Sequence, residues 1–236
     1  MESRAASLQS GTTPDSESTC EEVRSKMESE AKNLSANVPT NIKDAPRTHA
    51  QLGWSEFATV VAPDRAWQVE VHPVFTSREN HTPVTLRGCE KGGSWPLFIL
   101  ERDAEMYWGP DSSSLLVVNE PLSGTNQLLF FDVETPSDGK QTQAPDELDK
   151  AVEQVLIKRL GKNRRTEFYL PNLVSWKGSQ LLLAVGGTTS YAKSESGPMK
   201  EYCYGFMINT DKLRVQKVFS AKELKANSGA ECETYP

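Results

Sequence analysis

Cysteine and histidine are the residue types here whose chemistry leaves the clearest spacing signatures. The chain holds four of the first and three of the second. The cysteines are Cys20, Cys89, Cys203 and Cys232, and none forms a C-x-x-C pair, so neither a zinc knuckle nor a thioredoxin-like motif is present. Two readings stand side by side: inert thiols, or a disulfide among Cys89, Cys203 and Cys232, which requires an oxidising compartment. Sequence alone does not choose among the three pairings. The histidines are His49, His72 and His81. His72 and His81 with a carboxylate such as Glu79 make a conceivable metal set, but no ligand spacing matches a known geometry. Histidines without a ligand role are the plainer reading. There is no G-x-S-x-G elbow, phosphate loop, dinucleotide fingerprint or H-E-x-x-H. Gly92-Gly93 and Gly186-Gly187 read as turns at strand ends. No catalytic residue, metal site or cofactor is expected.

Candidate binding residues are Trp95, in the turn Gly92–Pro96, and the pair Arg164 and Arg165, in the densest basic run (Lys158-Arg159 and Lys162-Asn163-Arg164-Arg165). Tryptophans often anchor partners, and paired guanidinium groups suit an acidic one. The blander readings are a tryptophan that fills the core, as Trp54, Trp67, Trp108 and Trp176 are expected to do, and a solvated helix end.

Composition narrows the partners. Net charge is −6 over 236 residues, so no basic surplus exists to neutralise phosphates, and nucleic acid is excluded as a main partner. No segment approaches the roughly 20 apolar residues of a membrane helix. The N-terminus Met1–Leu8 has no apolar h-region, so no signal peptide is recognisable. The chain is then cytoplasmic, or exported with its signal removed. The hydrophobic share is 37%, below the about 45–50% usual for globular chains, so part of the chain is expected to be unfolded.

That part is residues 1–50, rich in Ser, Thr, Glu, Asn and Lys. They read as a disordered polar tail, with a short helix over 18–34 that Ser18 and Glu21 would cap. Residues 51–236 read as a soluble β-rich domain. Expected strands are Phe57–Val61, Trp67–Val74, Pro83–Arg87, Pro96–Glu101, Glu105–Trp108, Ser114–Asn119, Gln127–Val133, Glu167–Leu170, Leu173–Trp176, Gln180–Val185, Tyr202–Asn209 and Leu213–Phe219. Val69 and Val71 alternate with Gln68 and Glu70, whereas Leu115–Val118 is apolar throughout, as in a strand buried on both faces. One helix is expected over 145–161. Acids open it, Leu148, Val152 and Leu156 fall at helical spacing, and Gly161 ends it.

The strands group into repeats. Ala62-Pro63-Asp64, Trp108-Gly109-Pro110-Asp111 and Trp176-Lys177-Gly178-Ser179 each join a strand to an apolar strand. Asp64 and Asp111 are 47 positions apart; blades of ~40–50 residues with four strands each are the mark of propellers. The run Tyr107–Val118 followed by Leu128–Val133 resembles a blade of the TolB-type and WD-like β-propellers. Those blades carry a tryptophan–serine–proline–aspartate–glycine turn; here Gly109 stands for the serine and Ser112 for the glycine. The resemblance spans roughly 55–220 and implies an all-β, mostly antiparallel, propeller-like array of about three blade-type sheets. The units lie at about 55–101, 105–133 and 172–220, with the helix inserted. A β-sandwich is the alternative.

Exposed sheet edges invite edge-to-edge pairing. The inserted helix is the candidate cover, and oligomerisation is another way to protect them. The leading expectation for function is a non-catalytic protein-binding or scaffolding module with a protein partner. The alternatives are a hydrolase with a loop-built site, and an exported disulfide-stapled structural or inhibitor-like protein.

Overall fold

The turns 47 positions apart fold alike. In the computed structural model, Asp64 Oδ1 accepts the Ala66 N–H at 2.9 Å and Asp111 Oδ1 accepts the Ser113 N–H at 3.1 Å. The next residue in each, Arg65 (φ 64°) and Ser112 (φ 62°), takes the left-handed conformation, where an aspartate that caps its own turn lowers the cost of reversal. Asp64 N–H also donates to Ser112 Oγ at 3.1 Å, so the two turns abut. The third turn is different: Lys177 pairs directly with Gln180 across Gly178 (φ 51°), a two-residue hairpin.

The structure describes residues 18–34, 38–43, 45–75, 80–90, 92–122, 125–133, 145–161, 164–191 and 199–232. In chain order the elements are α1 (Cys20–Leu34), β1 (Thr40–Asn41), β2 (His49–Gly53), β3 (Phe57–Val61), β4 (Trp67–Val71), β5 (Val74–Phe75), β6 (Asn80–Gly88), β7 (Ser94–Leu100), β8 (Asp103–Trp108) and β9 (Ser114–Leu122). There follow β10 (Thr125–Asp132), α2 (Glu147–Leu160), β11 (Arg164–Lys177), β12 (Gln180–Tyr191), β13 (Lys200–Asn209), β14 (Arg214–Ser220) and α3 (Ala221–Ser228).

The chain is all-β in class, with mostly antiparallel sheets and three helices. Its strands form three four-stranded antiparallel units: β3-β4-β6-β7, β2-β8-β9-β10 and β11-β12-β13-β14. The second and third are continuous through one parallel bridge, Thr125 with Tyr169. Among the described residues these pairings close no barrel or ring.

Alternation along the strands stacks the units. Leu115, Val117, Leu129 and Phe131 face Val60, Val69, Val71 and Leu86 of the first unit. Leu116, Val118, Leu128 and Phe130 face α2 and the third unit's Leu181, Leu183 and Phe206. Leu182 and Ala184 turn the other way, onto Leu224 of α3. The all-apolar run in β9 therefore has the cause read from it: the middle sheet has no solvent face.

Two expectations change. The segment 1–50 is not a uniform tail. Residues 1–17 lie outside those described, but α1 is docked, with Cys20, Met27 and Ala31 buried. Its capping box sits one residue later than expected, on Thr19 and Glu22. The second unit's fourth strand, β2, begins at His49, the end of the same segment, and runs on to Gly53. Composition misled here because burial is supplied by the surface a segment lands on, not by the segment alone. In the third unit, the two short strands expected on either side of Pro171 are one strand, β11. It is paired along its length with β12 but has its one described backbone pairing with β10 at Tyr169, a one-sided position that tolerates proline.

α2 covers the edge its place in sequence suggested. Beyond the single bridge, β10 turns its N–H groups toward α2 rather than β11: Phe130 N–H donates to Pro145 O at 2.8 Å and Leu128 N–H to Asp149 Oδ1 at 3.2 Å. Leu148, Val152 and Leu156 fill the gap behind them.

Candidate functional site

Trp95 lies on β7 rather than in a turn. It is half-buried, and its ring meets Trp67 at 5.7 Å between centroids. Among the described residues β7 pairs with β6 alone, which leaves its far side a sheet edge, with Ile99 40% exposed and Pro96 also exposed. Arg164 and Arg165 open β11 opposite Tyr191 and Ser190. Trp95 and the Arg164–Arg165 pair thus stand in the first and third units, with the second between them. Of the other tryptophans, Trp108 is buried, Trp67 packs on the first core and Trp176 on Phe130, while Trp54 is exposed.

All four cysteines are paired, as Cys20–Cys89 and Cys203–Cys232. The second is one of the pairings the sequence left open. The first corrects it: Cys89 takes Cys20, which had been left in the tail. His72 and His81 do not converge on a metal, and the described residues hold no cluster of three ligating side chains. His72 Nε2 instead meets Glu30 of α1 at 2.7 Å, and its ring packs on Phe57. His81 is exposed on β6. Glu79 lies outside the described residues.

The structure also assembles two polar clusters the sequence hid. The first is on the outer face of the first unit. Gln68, Glu70 and Arg87 share the face of β4 and β6 opposite Val69, Val71 and Leu86, and they are 0%, 6% and 1% exposed. Arg87 Nε donates to Glu70 Oε1 at 2.6 Å, and Gln68 Nε2 donates to the same oxygen at 3.0 Å. Arg87 Nη1 and Gln68 Oε1 find no partner among the described residues. Alternation in β4 reads as an outward, solvated polar face. That face is buried instead, and α1 packs beside it on Phe57 and is tied to Cys89 and His72 at its margins.

The second cluster is the seam between the second and third units. Burial, the largest cause, pushes the Asp149 carboxyl from 3.8 up to about 6, against the pull of the Leu128 N–H. Tyr169, on β11, stands beside it. Its hydroxyl draws the Asp149 carboxyl down by hydrogen bonding, though less than burial raises it. Burial, then the Asp149 charge, holds the Tyr169 phenol well above its ordinary range. Tyr202 OH donates to Phe168 O at 2.8 Å, and burial raises it as well. The acids that open α2 suit the helix dipole, but Asp149 turns inward and accepts the Leu128 N–H of β10.

Fold and clusters together define an all-β protein of three stacked, four-stranded antiparallel units in two sheets, with three helices and two disulfides. No family model and no curated protein matches the chain. Among solved structures, an acylaminoacyl peptidase from Pyrococcus horikoshii in an orthorhombic crystal form is similar over 65% of this chain and 22% of its own, at 15% identity and a TM-score of 0.32. At that level the likeness carries no argument. Among the described residues, no helix is long and apolar enough to cross a membrane.

Proposed function

We propose that this protein is a non-catalytic binding or scaffolding module whose partner is another protein. The observation that supports this is the edge strand β7, which carries Trp95 against Trp67 and exposes Ile99. An open strand edge offers main-chain donors and acceptors to an extended segment of a partner, and alternate side chains select it. Pro96 interrupts the row of donors, which discourages indiscriminate edge pairing.

The test is affinity capture from native extract on the immobilised full chain, beside a Trp95→Ala variant of unchanged melting temperature. A protein held by the first and lost by the second supports the reading. Equal retention, or an empty column with folded bait, removes it. A second variant, Arg164→Ala with Arg165→Ala, asks whether the basic start of β11 belongs to the same surface.

Pairing of all four cysteines favours a companion reading, that the chain works in an oxidising compartment as a disulfide-stapled protein. Natively isolated protein would then gain four hydrogens in mass on reduction, two for each bridge. Four thiols that alkylate without reductant would sink it.

A further inference from the structure

α1 is fastened to the first unit in an uneven way. At its N-terminus Cys20 is bonded to Cys89, one residue beyond the end of β6. In its middle, Met27 and Ala31 pack on Phe57 with support from Val23, Val38 and Ile42. Toward its C-terminus Glu30 meets His72, one residue beyond β4. The two ends of this path agree in length. Ten helical residues from Cys20 to Glu30 rise about 15 Å, and five strand residues from Trp67, opposite Gly88, to His72 span about 17 Å. α1 therefore crosses the outer side of the first unit, from the end of β6 to the end of β4, and packs on Phe57 of β3 between them.

Without the covalent bond this hold is weak. A helix of 15 residues is marginal in isolation. Its apolar footing is a small cluster separate from the main cores, and Glu30 and His72 are both more than a third exposed, where an ion pair contributes little. The face beside it is polar. Gln68 Oε1 and Arg87 Nη1 lack partners there, so water entering on release would satisfy groups that now go unmet. The sheets themselves rest on cores that α1 does not join.

We propose that α1 is a redox-released lid. Reduction of Cys20–Cys89 frees it and uncovers the Gln68–Glu70–Arg87 face while the sheets stay folded. The reductant is a dithiol. Its thiolate attacks Sγ of Cys89, the half-buried partner, whereas Cys20 is 6% exposed. Cys20 leaves as thiolate and takes up a proton. The second thiol of the reductant then resolves the mixed disulfide, releasing Cys89 as a thiol. Two electrons and two protons pass from the dithiol, which ends as a disulfide. The inference stands apart from the binding reading, since it concerns the other face of the first sheet and is tested without a partner.

Hydrogen exchange read by mass spectrometry tests it on the full chain. The samples are the oxidised protein, the protein treated with dithiothreitol under native conditions, Cys20→Ser with Cys89→Ser, and Cys203→Ser with Cys232→Ser. In the second and third, amide protection over 23–34 falls on the order of a hundredfold, as for a locally opened element. Protection of β4, β9 and β12 stays as in the oxidised protein. In the fourth, α1 stays protected. Three results overturn the proposal: α1 keeps its protection without the bond; β4 and β6 lose theirs together with α1, which makes the bond a staple of the whole fold; or Cys89 resists dithiothreitol until the protein unfolds.

Discussion

The carboxylate of Asp149 on α2 accepts the backbone N–H of Leu128 on β10, so a helix side chain takes the place a neighbouring strand would have filled. The carboxyl pKa rises from 3.8 to about 6 because it is buried. The folded chain then holds this proton more tightly than the unfolded one. Its contribution to stability falls as pH rises from about 4 to 6, and the cost remains in full above 6. Asp149→Asn keeps an acceptor without the charge. It should raise stability by about 1–3 kcal/mol at pH 7.5, with the gain vanishing below pH 4. Urea melts at the two pH values check this; an equal gain at both would mean the charge is not the cause.

Arg87 and Glu70 form a buried ion pair, where truncating one partner is expected to cost far more than replacing both. Arg87→Met leaves a carboxylate buried without its cation and should cost roughly 3–5 kcal/mol. Glu70→Leu combined with Arg87→Met should recover most of that loss. A double-mutant cycle from chemical denaturation checks it, and additive losses would contradict it.

Gly187 sits at φ 151°, and a Cβ there would come within 2.0 Å of Phe168 O. The backbone cannot yield as a side chain can, so Gly187→Ala should cost more than about 4 kcal/mol or prevent folding. Gly178, at φ 51°, faces open space. Gly178→Ala should cost only about 1–2 kcal/mol, the left-handed penalty alone. Thermal melts of the two variants should differ widely.

Ser220 caps α3 by a full capping box with Glu223. Its N–H and hydroxyl both donate to that carboxylate and hold its pKa below the ordinary range. Support from Glu223 is therefore present above the unfolded carboxylate pKa and fades as pH falls through the lower folded one. Ser220→Ala should cost about 1 kcal/mol and speed exchange in α3 without affecting α2.

Much of the strand plan was legible because turn chemistry and apolar runs are local. β3 matches its expected bounds, and both proline–aspartate turns do what their residues suggest. What was illegible depends on contact at a distance. Gln68 and Glu70 look like a wet face, yet both are buried. Cys20 looks stranded until the helix brings it to Cys89. β2 is a strand only because β8 offers it an edge. Trp95, Arg164 and Arg165 were singled out by residue type, and type does not say which unit each belongs to.

The two disulfides also divide the molecule mechanically. Each closes a loop, of sequence separation 69 for Cys20–Cys89 and 29 for Cys203–Cys232. A tensile load applied at the chain ends bypasses what those loops enclose: α1 and β1 to β6 at one end, and β13 beyond Cys203, β14 and α3 at the other. The load path runs from Cys89 to Cys203, through β7, the whole of β8 to β10, α2, β11 and β12. Load is thus carried by β8 to β10 of the middle unit and across its junction with the third, where β10 and β11 share the bridge between Thr125 and Tyr169.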